Sequence, residues 1–191
     1  MKLIKALLML IGAVVVLGMG YVYMKLDPAA LPTYANMFAK VIETGDPAKG
    51  MIIKRKLIIE EGESKEEAIE EAIEIMDAVG ENYGLAKVDS KTMPRGGKFM
   101  KDGGLYTHIR SYCSPTIADI FLSHSGEFVG FMPCRIGIVE DKNGDIWLYT
   151  MSLDLMIHGG VALPPELLKH ANNVKEAMEN MLIKGASRDE D

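Results

Sequence analysis

Apolar and polar positions divide this 191-residue chain into segments of different period. Ala6 to Met24 is an unbroken run of nineteen uncharged positions, preceded by Lys2 and Lys5 and closed by Tyr21, Tyr23 and Lys25. At about 1.5 Å per residue, such a run crosses the hydrocarbon core of a bilayer as a helix. The rival is a cleaved signal peptide. Its apolar part is shorter, about 7–15 residues, and ends at a small-x-small site. Gly18-Met19-Gly20 is a poor version of that site, and more apolar residues follow it, so the pattern favours an uncleaved signal anchor over 1–26. The lysines ahead of the run favour an inside amino terminus. That orientation makes the chain a single-pass protein of the inner (cytoplasmic) membrane, with its soluble domain on the periplasmic, exported side.

Residues 27–49 carry Pro28, Pro32 and Pro47 around a short apolar patch and read as a linker with a turn or two of helix. From Met51 to Glu60 the period is two, with Ile53, Leu57 and Ile59 on one face and Lys54 and Lys56 on the other, the pattern of a half-buried strand. Ser64 and Glu67 form a capping box, and Ile69, Ala72, Ile73, Met76 and Val79 follow at helical spacing until Gly80 or Gly84. Leu85 to Val88 is a short strand. Ser90 to Gly104 has no period, four glycines and a proline, and reads as a flap.

Leu105 to Cys113 is a strand, Ser114-Pro115 open a helix, and Phe128 to Val139 is a long strand in which Pro133 marks an edge or bulge. Asn143-Gly144 turns a hairpin into Ile146 to Met151. Leu153 to Ile157 is an apolar turn. Pro164-Pro165 begin a last helix with Leu168, Ala171, Val174, Met178 and Met181 as its stripe and Gly185 as its cap, before a charged tail at 187–191. The order β-α-β-β-α-β-β-α predicts an α+β domain over 50–186: a mixed β-sheet with helices packed mainly on one face, preceded by one transmembrane helix.

Composition narrows the partners. The formal charge is −6, and no cluster of Lys and Arg exists outside Lys54-Arg55-Lys56, so a nucleic acid is excluded. Hydrolase and nucleotide-binding motifs are absent: no Gly-x-Ser-x-Gly, no His-Glu-x-x-His, and Gly96-Gly97 lacks the lysine of a phosphate loop.

Two blocks carry a family resemblance. Ser111-Tyr112-Cys113-Ser114-Pro115 before a helix, and Phe131-Met132-Pro133-Cys134-Arg135 with Ile136, Ile138 and Val139 before an acidic hairpin, resemble the signature blocks of the domain of unknown function 302 family. Ser152 to Gly160 with Leu163-Pro164 is similar to a branch found in sulfur-oxidising bacteria. The likeness spans Met51 to Gly185. It implies an α+β fold and often a homodimer, without an assigned activity.

Chemistry centres on the cysteines and His158. Cys113 and Cys134 are the two cysteines of the chain, and three readings stay open for them: buried inert thiols, a structural disulfide, or reactive thiols. Cys113 is the better placed, since a helix amino terminus favours thiolate. His158 precedes Gly159-Gly160, where a ligand can come close, or it is a loop histidine capping the turn. Of fourteen methionines, Met93, Met100, Met132, Met151 and Met156 fall around this stretch, as adaptable packing or as a soft pocket.

The expectation is therefore a membrane-anchored, exported binding domain, non-enzymatic, for a small ligand or redox cofactor. Non-covalent b-type haem is the specific cofactor expected, with His158 as the metal ligand and Met156, Cys113, Cys134 and His108 around it. Two alternatives stand beside it. One is a thiol, sulfane-sulfur or disulfide protein using Cys113 and Cys134 with a redox or sulfur-carrier partner, and the other is an accessory subunit of a membrane complex.

Overall fold

The structure is a computed structural model that describes residues 2–96, 98 and 103–189. It opens with α1 (Lys2–Lys25), whose apolar length suffices to cross a membrane and whose side chains from Ile4 on are exposed. The segment read as a linker is largely helical: α2 (Ala30–Thr44) ends in Gly45, and Asp46 caps α3 (Pro47–Met51) by accepting a hydrogen bond from the Ala48 N–H at 2.9 Å. Pro28, Pro32 and Pro47 fall at or before first turns, where a missing N–H costs no helical hydrogen bond.

Five strands follow: β1 (Ile52–Lys56), β2 (Ala86–Thr92), β3 (Thr107–Cys113), β4 (Cys134–Glu140) and β5 (Ile146–Met151). They form one sheet in the order β1-β5-β4-β3-β2, and every pairing is antiparallel. The α+β class and the element order match expectation, whereas the sheet is antiparallel throughout rather than mixed. The reason lies in β1 and β2, which run in the same direction on either side of a helical crossover but stand at opposite edges of the sheet, so they never pair. Lys54 to Lys56 thus sit on an edge strand, exposed, where charge blunts strand-to-strand aggregation.

Helices α4 (Lys65–Asn82) and α7 (Pro165–Ser187) pack on each other and on one sheet face. Ser64 and Glu67 make both hydrogen bonds of the capping box. The core is continuous from Ile69, Ala72 and Met76 of α4 through Ile136, Ile138 and Leu148 of the sheet to Val174, Met178 and Met181 of α7. Gly185 does not end α7. The helix continues to Ser187, and an added Cβ at Gly185 would meet Met76 Cγ at 2.5 Å, so this glycine permits close helix packing. Arg188 closes the helix with a left-handed backbone and pairs with Glu63 and Glu71, so the tail is tied down at its start.

Four more boundaries differ from the sequence pattern. Phe128 to Val139 is not one strand: Gly126–Phe131 is a 3-10 turn, the Met132–Pro133 peptide is cis, and β4 starts at Cys134. Pro133 has no N–H to give a central strand, so β4 begins after it and Cys134 is its first residue, not its middle. The strand expected at Leu85 to Val88 runs on to Thr92, taking residues from the expected flap. In the rest of that segment Arg95 and Lys98 form a single bridge, while Gly97, Phe99, Met100, Lys101 and Asp102 lie outside the described residues. Leu153 to Ile157 is helical, giving α6 (Asp154–His158), and α5 (Pro115–His124) lies where Ser114-Pro115 predict it.

Candidate functional site

β3 ends at Cys113 as β4 starts at Cys134, and the register sets Tyr112 directly opposite Cys134. Past Cys113 the chain turns at Ser114 into α5, so the amino end of an α-helix begins one residue from that thiol. Pro115 fits there because its missing N–H is one of the helix's unpaired donors. The 3-10 turn brings Phe131 and Met132 back to the same corner, and α6 and α7 close it from the other side.

The result is an apolar pocket of about 430 Å³ of empty space, counting its open mouth. The part comparable with a closed cavity is only about 40 Å³, well below small-ligand clefts of roughly 300–1,000 Å³. Four sulfur-bearing residues line it, Cys113, Cys134, Met132 and Met156, with Ile117, Phe121 and Val174 as walls. Its lining includes no histidine, carboxylate, lysine or arginine. Burial, reinforced by the neighbouring Cys113, pushes the Cys134 thiol up to about 11, so it stays protonated at neutral pH. Both cysteines are free thiols and part-buried.

The pocket floor is held rigidly. Tyr112, fully buried, donates its hydroxyl hydrogen to Asp77 Oδ1 at 2.8 Å and accepts from Arg110 Nε at 3.2 Å. Arg110 also pairs with Asp77. Burial raises the Tyr112 phenol well above its ordinary value. A buried polar group satisfied on both sides fixes one geometry, and here it fixes the residue facing Cys134.

Two grooves adjoin the pocket. One, between β5, the Phe131 turn and the outer sheet face, shares Cys134 and Phe131 with it. The other, between α2, β1 and α6, shares Met156 and Phe131 and is lined by Met37, Met51 and Met151.

His158 is elsewhere. Its Nδ1 lies 3.2 Å from Asp27 Oδ2, next to the Asp27 N–H that donates to the Gly160 carbonyl at 2.9 Å. The Tyr34 hydroxyl donates to the Gly159 carbonyl at 2.7 Å. The residues just beyond α1 therefore dock on the His158-Gly159-Gly160 segment. Gly159 is needed there, since an added Cβ would fall 2.2 Å from the Leu155 carbonyl oxygen. The Asp27 carboxyl is held below its ordinary range by the Ala29 N–H and by His158.

His108 is also outside the pocket. Its Nε2 lies 2.9 Å from Ser90 Oγ and its Nδ1 3.1 Å from Thr92 Oγ1, and burial followed by Arg110 and Lys87 lowers its basicity. The structure thus brings Cys113, Cys134 and Met156 of the expected site together, and sets His158 and His108 in two other places. Met156 lines the pocket and one of its grooves, and His158 lines neither. Among the described residues no group of three or more His, Cys, Asp or Glu converges.

Met132 completes the pocket, as its position before Pro133-Cys134 allows. Asp27, Met37 and Met51 come to their sites from far along the chain, and no local signal announces them.

Residues 97–185 match the family profile of the domain of unknown function DUF302. The chain is similar in fold to the crystal structure of the uncharacterized conserved protein DUF302 from Bacillus stearothermophilus, at 15% identity and a TM-score of 0.50, covering 70% of this chain and 96% of that one. No curated protein matches. The matched stretch takes in β3, α5, β4, β5, α6 and nearly all of α7, and with it both cysteines, Met132 and Met156. Over residues 97–185 the chain is similar to the DUF302 family.

Proposed function

We propose that this is a membrane-tethered binding domain whose site is the sulfur-lined pocket beside α5, displayed on the exported side of the inner membrane. The observation that carries the reading is that both thiols of the chain line one apolar pocket that opens at its mouth. A cavity walled by Ile117, Phe121 and Val174 favours an apolar or polarizable guest, and Cys113 beside the amino end of α5 is the group to hold it. His158 then serves the tether, through Asp27, and not the ligand.

Monobromobimane, a small apolar thiol reagent, tests this on the full chain in detergent micelles. The expected result is stoichiometric labelling of Cys113 in the native protein, with the blue-shifted emission of a dye in an apolar pocket. Labelling absent until unfolding, or emission at the wavelength seen in water, sinks the reading.

A second reading rests on the two cysteines occupying neighbouring strands. In it Cys113 attacks a partner protein's disulfide, one partner sulfur leaves as a thiolate, and Cys134 displaces the other from the mixed disulfide. The partner ends as a dithiol and Cys113–Cys134 as a bridge. Alkylation and peptide mass mapping of Cys113 and Cys134 after incubation with an oxidised dithiol protein decide it: loss of both thiols from this chain, matched by two new thiols on the partner, supports exchange, and no loss from this chain removes it.

A further inference from the structure

The methionines are not spread at random. Met9, Met19 and Met24 belong to α1, and Met76, Met178 and Met181 are core residues. Met132 and Met156 line the pocket with both cysteines, while Met37, Met51 and Met151 line the groove that shares Met156 with it. Among the described residues, the sulfur atoms outside α1 and the deep core, apart from that of Met93, line this pocket and its adjoining groove.

Donor chemistry selects among possible guests. The pocket offers two thiols and two thioethers, and neither imidazole nor carboxylate. Zinc prefers four Cys, His or carboxylate ligands, and calcium and magnesium take oxygen. Thioethers with thiolates are the soft set that suits Cu(I). A cavity of about 40 Å³ suits a bare ion better than a large organic ring.

We infer that the pocket is a Cu(I) site, with Cys113 and Cys134 as thiolate ligands, Met132 and Met156 completing the shell, and Met37, Met51 and Met151 as the approach. The inference rests on the proposed pocket and names its ligand class. Cu(I) keeps its oxidation state: two S–H bonds break, two Cu–S bonds form, and both protons pass to solvent. Coordination deprotonates a thiol outright, including one whose burial keeps it protonated when free. The complex carries one net negative charge, which the amino end of α5 offsets.

The test uses reduced, full-length protein in detergent micelles without oxygen, with Cu(I) supplied as its bicinchoninate complex. The protein is expected to withdraw one equivalent from the chelator. Cys113→Ser and Cys134→Ser should each weaken binding by about 100-fold, and Met132→Leu with Met156→Leu by about tenfold. Met37→Leu and Met51→Leu should slow the transfer without changing its end point. Bound Cu(I) should also block bimane labelling of the wild type. Circular dichroism melts of each variant separate lost ligands from lost fold, and sulfur-only scattering in a Cu X-ray absorption spectrum identifies the donors without any variant. No withdrawal from the chelator, or withdrawal that survives the double cysteine variant, overturns the inference. If bimane still labels Cys113 with apolar emission, the pocket reading stands while the copper inference falls; if both fail, both fall.

Discussion

The pocket beside α5 and the contact around His158 share α6, which gives Met156 to one and His158 to the other, and they are built on opposite principles. The pocket is apolar, walled by side chains from β3, α5, the 3-10 turn, β4, α6 and α7, and the hydroxyl of its buried Tyr112 is satisfied by Asp77 and Arg110. The His158 contact is polar, made largely of backbone carbonyls, and its partner Asp27 comes from just beyond α1. The difference teaches where a chemically versatile residue is free to act. The histidine is already engaged by a carboxylate from beyond α1, while the thiols face an open apolar space with no polar partner in its lining beyond Tyr112 and Ser114.

If the two regions are independent, damage to one leaves the other intact. The largest effect is expected at Tyr112. Tyr112→Ala removes a fully buried ring and should cost about 3–5 kcal/mol, while Tyr112→Phe, which leaves Arg110 and Asp77 short of a partner, should cost about 1–3 kcal/mol. Urea unfolding of the two variants measures both, and a Tyr112→Phe variant as stable as the wild type would mean that the hydroxyl network carries nothing.

Next in size is the contrast between the thiols. With Cys134 at about 11 against an ordinary 9.0, its thiolate fraction at neutral pH is about 100-fold below that of a free cysteine. Alkylation followed by peptide mass mapping should find Cys134 nearly unreactive at pH 7 and rising only as pH approaches 11. The raised value favours the folded state below pH 9, and that advantage should fade between pH 9 and 11 as unfolded chains ionise first.

His158→Ala should act on the tether alone. Domain stability is expected to move by less than about 1 kcal/mol, bimane labelling to stay unchanged, and limited proteolysis between α1 and α2 to quicken. Altered thiol labelling would show that the regions are coupled. The smallest effect is that of pH on Asp27. Its carboxyl is depressed below 3.8 by the Ala29 N–H and His158, so the contact holds above that value and weakens as pH falls through the folded-state value. Amide hydrogen exchange at Ala29 should accelerate only below about pH 4.

Much of this was legible along the chain. The capping box at Ser64, the Asn143-Gly144 turn and Ser114-Pro115 are local signals, and each element formed where its local signal stood. Cys113 at a helix start was readable for the same reason. What escaped the sequence depends on distance. Asp27 meets His158 across 131 positions, and Met37 and Met51 reach Met156 only because α2 folds back against α6. Gly185 looked like a stop signal because a glycine after an apolar stripe usually is one. Only the approach of Met76 reveals it as a packing residue. Pro133 gave a true warning whose form was not readable: the strand it disturbed begins after it.

The strand order β1-β5-β4-β3-β2 also sets a timetable for synthesis. β1 emerges first yet pairs only with β5, about ninety residues later. At 5–20 residues per second it waits roughly 5–20 s with its edge unpaired. The helix that roofs the sheet, α7, comes later still. During that interval a nascent chain held at its amino end by α1 exposes Ile52 and Ile53 alongside Lys54, Arg55 and Lys56. The charge that guards the finished edge is therefore needed first by the unfinished one, when neighbouring copies on the same polysome are the nearest strands available.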